Sequence, residues 1–412
     1  MTWVRLAVLL LTVTLADLGG ACGLSGLGGA PGQARADDIA AYRVTDPNAS
    51  FFAREGALAS AANRRFGAPA RPVRAAEPPC PRDQIAEPIA GVVRVPAFYR
   101  DPAGWRRASR PLFAFEAQAT GFAADYARSG DPAYARCLVE LLGHWAARGA
   151  LLAFDYEADH GQAWFAVQWS TASAGLAYSV VRAAPSLADA DKRAVEAWLA
   201  AAATHQTGYP GTSVTCCNNH LYWRGLEAAI VGVVADDDRL FRYGIRAFLA
   251  ALEAMRPDGS LPRETARGAR ALHYQNFAVL PLVFLAEVAA RQGYDLYGLA
   301  VEGRDLHLAV RFLLRALDDP AALRRYTAEA QDLGFVERRA ELNWLEPYHR
   351  RFPSAGTARW LARLRPLSHA WTGGPATLYF AESETAGDRA RAARLNRPPA
   401  ASRAPAQSAA AP

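Results

Sequence analysis

From about residue 109 onward, apolar residues recur every three to four positions almost without interruption, the period of helices with one buried face. Phe241, Ile245, Phe248, Leu249 and Leu252 share one such face, while Arg242, Arg246 and Glu253 occupy the other. Segments of the same kind run over about 132–149, 163–182, 217–234, 268–292, 302–316 and 337–350. Ser186 with Asp189, after Pro185, reads as a cap opening the helix that carries Val195, Trp198 and Leu199. Asp236-Asp237-Asp238 reads as the cap of the next one. Short breaks such as Arg256-Pro257-Asp258-Gly259 predict antiparallel hairpins. The chain is thus all-α, and two shapes suit its helices, an open solenoid or a closed α/α toroid with a central cleft. A solenoid should repeat at a fixed length, and no such repeat exists.

The rest of the chain is less regular. Residues 66–89 hold Pro69, Pro72, Pro78, Pro79, Pro81 and Pro88, which predicts an irregular N-terminal segment. Gly373-Gly374-Pro375-Ala376-Thr377-Leu378-Tyr379-Phe380 is expected to end the domain as an extended piece. Arg5, the apolar run from Leu6, and Gly19-Gly20-Ala21-Cys22 read as a signal peptide over 1–21, with Cys22 a candidate lipid anchor. A linker and irregular segment follow over 22–77, a helical domain over 78–392 and a disordered tail over 393–412. Export, to the periplasm, is the expectation.

Composition narrows the classes. The chain has 412 residues, 51% hydrophobic and 21% charged, which supports a large core and excludes global disorder. The apolar run from Leu6 is too short for a membrane span. Net charge is +6, and among 46 basic residues only Lys192 is a lysine. Such a surface attracts acidic ligands. The arginines form no dense run, which speaks against nucleic acid and leaves anionic lipid or an acidic polysaccharide as partner of what is expected to be a monomer. Setting Cys22 aside leaves four cysteines, Cys80, Cys137, Cys216 and Cys217, an even number suited to an oxidising compartment. Cys216 and Cys217 are adjacent, and a bond between them would stiffen the backbone beside the Asn-Asn-His stretch at 218–220.

Two clusters carry candidate chemistry. Cys216-Cys217-Asn218-Asn219-His220-Leu221-Tyr222-Trp223 opens a helix, whose N-terminus favours anions. In Pro262 to Asn276, the spacing of Arg267, Arg270 and Tyr274 predicts one helical face, with the guanidinium groups lowering the phenol's pKa. Together they suit β-elimination on a uronic acid: proton abstraction at C5 builds charge on the adjacent carboxylate, which must be neutralised while an acid serves the leaving oxygen. Two rivals are a hydrolase pairing Glu264 with Asp155, Glu157 or Asp159, and a binding protein without turnover. Asp155, Glu157 and Asp159 are also weighed as a calcium loop and set aside as solvated. Trp164 and Trp169 are placed in the core rather than against sugar.

The Asn-Asn-His-x-Tyr-Trp motif at 218–223 resembles that of the periplasmic alginate lyases, poly(β-D-mannuronate) lyases. So does the stretch at 261–274 with Leu-Pro-x-Glu followed by Arg-x-x-Arg-Ala-Leu-x-Tyr. The likeness extends over about 78–382, through Cys80-Pro81, Pro88-x-x-Gly91, His144-Trp145-Ala146 and Gly-Gly-x-x-Thr-Leu at 373–378. It implies an α/α toroid, a lyase needing no metal or other cofactor, and disulfides Cys80–Cys137 and Cys216–Cys217. It implies Asn219, His220 and Arg267 as the carboxylate-neutralising and catalytic set. Tyr274 is implied as acid and, for mannuronate, base; His220 would be the base where C5 has the opposite geometry. Tyr99, Arg100, Tyr222, Trp223 and Arg270 are expected to contact substrate. The chain departs from the family at Phe98, where a lysine is usual, and at His273 and Gln275 around the tyrosine. Those changes leave polyglucuronate or another acidic polymer as alternatives to alginate.

Overall fold

The computed structural model describes residues 36–52, 80, 85–156, 161–212 and 215–381. The expected signal, Cys22 and the tail therefore lie outside the described residues, as do Glu157 and Asp159; of the segment 22–77 only residues 36–52 are described, and Phe51 and Phe52 there are buried in the core. The helices are α1 (Pro102–Ser129), α2 (Pro132–Ala147), α3 (Gln162–Val181), α4 (Asp189–Thr207), α5 (Asn219–Val234) and α6 (Asp238–Ala254). There follow α7 (Pro262–Thr265), α8 (Ala271–Arg291), α9 (Leu306–Asp318), α10 (Gly334–Arg338), α11 (Leu345–Arg351), α12 (Ala355–Leu364) and α13 (Ala376–Phe380). Among the described residues there is no strand, only isolated bridges such as Val93 with Phe154.

Local signals explain most boundaries. Asp101 caps α1 by accepting from the Gly104 amide at 2.7 Å, and Pro102 opens the helix with its preset φ. Asp237 caps α6 through the amides of Arg239 and Leu240. The expected cap at Ser186 is absent: α4 begins at Asp189 behind Ala188, without a side-chain cap, and Asp189 and Asp191 complement the helix dipole instead. Residues 337–350 are not one helix but the end of α10, a turn and α11, because Arg339 adopts a left-handed φ of 55°. The closing stretch is helical as α13, not extended. Helix α1 also starts earlier than the periodicity predicts, at Pro102.

The helices α1, α3, α5 and α8 pack successively side by side, with α2, α4, α6 and α9 behind them. A 3-10 turn at Ala370–Thr372 returns to α1 and α3, so the C-terminal part closes against the beginning. Burial follows layer. All but one of the residues of α3 are buried, whereas α6 hides Phe241, Ile245, Phe248 and Leu252 and shows Arg246 to solvent. Each such apolar side chain contributes about 1.5–3 kcal/mol on burial. Helix α8 is apolar enough to cross a membrane by composition, yet 89% of its most apolar window is buried inside the protein. It is a core helix.

Close backbone approach fixes where α5 sits. A Cβ on Gly244 of α6 would lie 2.6 Å from both the Ala229 Cβ and the Gly225 carbonyl oxygen of α5. Only glycine permits that distance. Cys80 is bonded to Cys137 with Cα atoms 5.5 Å apart, tying the segment before α1 to α2, and Cys216 is bonded to Cys217.

Candidate active site

All four inner helices begin at one end of the ring. Tyr99 and Asp101 precede α1, Phe165 lies in the first turn of α3, Asn219 and His220 open α5, and Tyr274 lies in the first turn of α8. Four helix N-termini, each with partial positive charge and spare amide donors, therefore face the same end, which favours an anionic ligand there. Beside Arg267 and Arg270 a cavity of about 650 Å³ opens, lined by residues 266–270 with Glu329 and Asp332 opposite.

Asn218 caps α5 by accepting from the His220 amide at 3.1 Å. This places Asn219 inward, where its amide N–H and its Nδ2 donate to the two carboxyl oxygens of Glu264 at 2.7 and 2.8 Å. Glu264 thus orients the Asn219 side chain, and Nδ2 keeps a second hydrogen for another acceptor. Both residues are fully buried. Burial raises the Glu264 pKa, and the bonds from Asn219 and the charges of Arg267 and Arg263 work against that rise.

His220 stacks flat on Phe165, with ring centroids 3.6 Å apart and planes 11° from parallel. Its Nδ1 and the Asn219 Oδ1 are buried and have no hydrogen-bond partner among the described residues. Removal from solvent, then the charges of Arg224 and Arg267, lower the His220 pKa to about 3. The imidazole is therefore neutral at ordinary pH, and it offers one donor and one acceptor rather than a positive charge.

Arg267 links the two clusters. Its guanidinium lies 4.7 Å over the Tyr274 ring while its charge reaches His220 and Glu264. The Tyr274 hydroxyl is 2.8 Å from the Tyr99 hydroxyl, and Arg270 covers the Tyr99 ring at 4.0 Å. Two sequence expectations change here. Arg267 and Arg270 are not on a helix with Tyr274, because the chain runs through a turn and a 3-10 segment, Gly268–Arg270, before α8 begins. And the phenol pKa is raised, not lowered: burial and the neighbouring Tyr99 outweigh Arg267 and Arg270.

Other expected contacts divide. Tyr99 is exposed at 55%, and Arg100 beside it is exposed. Tyr222 and Trp223, expected to touch substrate, are buried; Trp223 donates to the Phe277 carbonyl at 3.1 Å. Two residues past His220, helix geometry turns Tyr222 to the opposite face, and Trp223 is enclosed by the rings of Trp169, Phe277 and Trp371. Trp164 and Trp169 are core residues, as expected. Phe98 packs its edge on Tyr99 and Trp105 at 5.1 and 5.0 Å. Gln275 pins the preceding turn by accepting from the Leu261 amide at 2.9 Å, and His273 meets Glu341 at 2.7 Å. Asp155 is paired with Arg94 at 3.6 Å, and both oxygens of Glu264 are engaged, so the acid pair of a hydrolase does not form from them. Among the described residues no cluster of three or more His, Cys, Asp or Glu suits a metal.

The family model for alginate lyase matches residues 73–323. The chain belongs to the alginate lyase family. It is 33% identical over 288 residues to a polysaccharide lyase of Stenotrophomonas maltophilia (strain K279a), covering 67% of this chain and 83% of that protein. It is 31% identical over 237 residues to an alginate lyase of Pseudomonas aeruginosa (strain PAO1), covering 57% of this chain and 64% of that one. Among solved structures, alginate lyase A1-III from Sphingomonas species A1 superposes with a TM-score of 0.73 at 34% identity, over 84% of this chain and 99% of that one. A histidine-to-alanine variant of that enzyme, complexed with a tetrasaccharide, gives the same TM-score of 0.73. This family member is therefore a polysaccharide lyase on an α/α toroid.

Phe165 and the orienting role of Glu264 escape a reading of the sequence. Glu264 stands in plain view within Pro-Arg-Glu-Thr at 262–265, but nothing in its spacing says that it holds Asn219. Phe165 is one aromatic residue of an apolar helix, and no local signal marks it.

Proposed function

We propose that this lyase cleaves a polymannuronate-like polyuronate by syn β-elimination, with Tyr274 moving the proton. The observation that carries the reading is Arg267, stacked on the Tyr274 ring while its charge reaches His220 and Glu264. A uronate carboxylate beside Arg267 would meet the second Nδ2 hydrogen of Asn219 and an N–H of neutral His220. In the syn geometry, C5–H and the C4 leaving oxygen lie on one face of the sugar. The Tyr274 oxygen takes the C5 proton and hands its own to the leaving oxygen as the C4–O bond breaks and the C4–C5 double bond forms. The raised pKa keeps Tyr274 protonated at rest, the form an acid needs, and the charges of Arg267 and Arg270, which work against that rise, stabilise negative charge that develops on the phenol oxygen. The tetrasaccharide-bound relatives support a chain of several sugars in the cleft. The leader read from residues 1–21 points to the cell envelope as the place of action.

The test is turnover of polymannuronate, polyguluronate and polyglucuronate, followed by the ultraviolet absorbance of the unsaturated product. Tyr274→Phe should lower kcat by about 10²–10⁴-fold, the range for losing a proton-transfer group, with binding largely kept. A variant with full activity removes Tyr274 from the chemistry. Preference for polyguluronate would move the base role to His220, since the C5 proton would then lie on the opposite face.

A further inference from the structure

The exposed face of α1 where it leaves the cleft is charged in a way that the fold does not require. Ala103, Arg106, Arg107, Arg110 and Ala114 are exposed there, at helical spacing, in the first turns of the helix. The Asp101 carboxylate caps that end of α1, and no acidic residue follows it in the first turn to offset the arginines. Several other surface arginines sit beside carboxylates, as Arg239 by Asp237, Arg242 by Asp238, Arg304 by Glu302 and Arg359 by Asp318. Among the described residues, Arg106, Arg107 and Arg110 have no such partner. Three unpaired guanidinium groups on one exposed helix face make a concentrated positive patch.

Its position says what it serves. Helix α1 begins two residues after Arg100 and three after Tyr99, whose hydroxyl touches Tyr274 and whose ring lies under Arg270. Guanidinium groups therefore continue from the cavity, through Arg267 and Arg270, past Tyr99, onto the outer face of α1. Arg106 and Arg110 are about 6 Å apart along the helix axis, at 1.5 Å per residue. The small side chains of Ala103 and Ala114 leave the strip open at either end.

We propose that Arg106, Arg107 and Arg110 form an exosite for the acidic polymer, holding sugars of the substrate chain beyond those seated in the cleft. This rests on the reading of the substrate as a polyuronate, and it adds a second place of contact outside the reacting site. Guanidinium groups bind carboxylates with paired donors, and exposed pairs of this kind are individually weak and sensitive to salt. Three acting on one chain add through linkage, because the cleft already holds the polymer close to them.

The experiment compares wild type with the triple variant Arg106→Glu, Arg107→Glu, Arg110→Glu. A control of equal charge change, Arg136→Glu with Arg193→Glu and Arg246→Glu, alters exposed residues of the outer helices α2, α4 and α6. At low salt the triple variant should lose about tenfold in kcat/KM on long polymannuronate and stay within about twofold on tetrasaccharide. The gap should close as salt rises. Equal loss on both lengths, no loss on the long chain, or the same loss in the control would each overturn the exosite. Anisotropy of fluorescently labelled polymannuronate reads the surface independently of turnover. If wild type binds the polymer without cleaving any polyuronate and the triple variant binds it worse, the exosite stands and the proposed reaction falls.

Discussion

A neutral imidazole and a protonated phenol are the resting forms that burial imposes on His220 and Tyr274. In the proposed reaction charge neutralisation then falls to Arg267, while His220 and Asn219 would contribute directed hydrogen bonds. Direction is what Glu264 supplies, since its two oxygens accept both donors that Asn219 offers it. Glu264→Gln keeps one acceptor and turns an amide donor against another donor. It should lower kcat by about 10²–10³-fold, the effect of misplacing one donor to a developing anion. It should also cost about 1–3 kcal/mol of stability for the buried bond lost. Steady-state kinetics with thermal melts check this; an unchanged kcat would mean that Asn219 is held in place by something other than Glu264. His273 and Gln275, which depart from the family pattern, have partners of their own in Glu341 and the 259–261 turn. They buttress the tyrosine from both sides along the chain.

Helix ends carry the function at the next scale, and helix crossings set where those ends lie. The α5–α6 pair is held close by Gly225 and Gly244, so the start of α5, with Asn219 and His220, depends on a contact far along the same helix. Gly244→Ala places a methyl group 2.6 Å from a backbone oxygen and from the Ala229 Cβ. Overpacking of this kind costs about 1–3 kcal/mol, more than the gain of about 1 kcal/mol in helix propensity. The expected result is a lower melting temperature and a lower kcat together. A more stable variant would show that the two helices separate freely.

Stability of the whole molecule should have an optimum in pH set by buried titratable groups of opposite sign. His220 and His369 have folded pKa values of about 3 and about 4, below their ordinary 6.5. The unfolded chain then binds more protons, so stability rises with pH across that window and is lost as pH falls below 6.5. Glu116, buried between Ser170 and the Trp371 indole, is raised by burial to about 8 from 4.5. There the folded chain binds more protons, and stability falls as pH rises from 4.5 towards 8. The two effects oppose each other between 4.5 and 6.5, and the maximum should lie there. Between pH 6.5 and 8 the decline belongs to Glu116, with Glu227 and Glu264 shifted the same way. Glu116→Gln should flatten that decline, read by melts at stepped pH; an unchanged slope would assign it to other groups.

Helical periodicity, the Asp cap that opens α6, and the two motifs at 218–223 and 261–274 are legible in the chain because each is local: neighbouring residues suffice to set it. So is the family, since Asn219, His220, Arg267 and Tyr274 keep their types and spacing. Burial, by contrast, is a property of the assembled ring. It turned Tyr222 and Trp223 inward, raised the phenol's pKa against its arginines, and neutralised His220. The pairing of Asn219 with Glu264, 45 residues apart, and the stacking of His220 on Phe165 arise only when separate helices bring their ends together. Electrostatics depends on solvent exclusion and on distance through space, and neither is written in the order of residues.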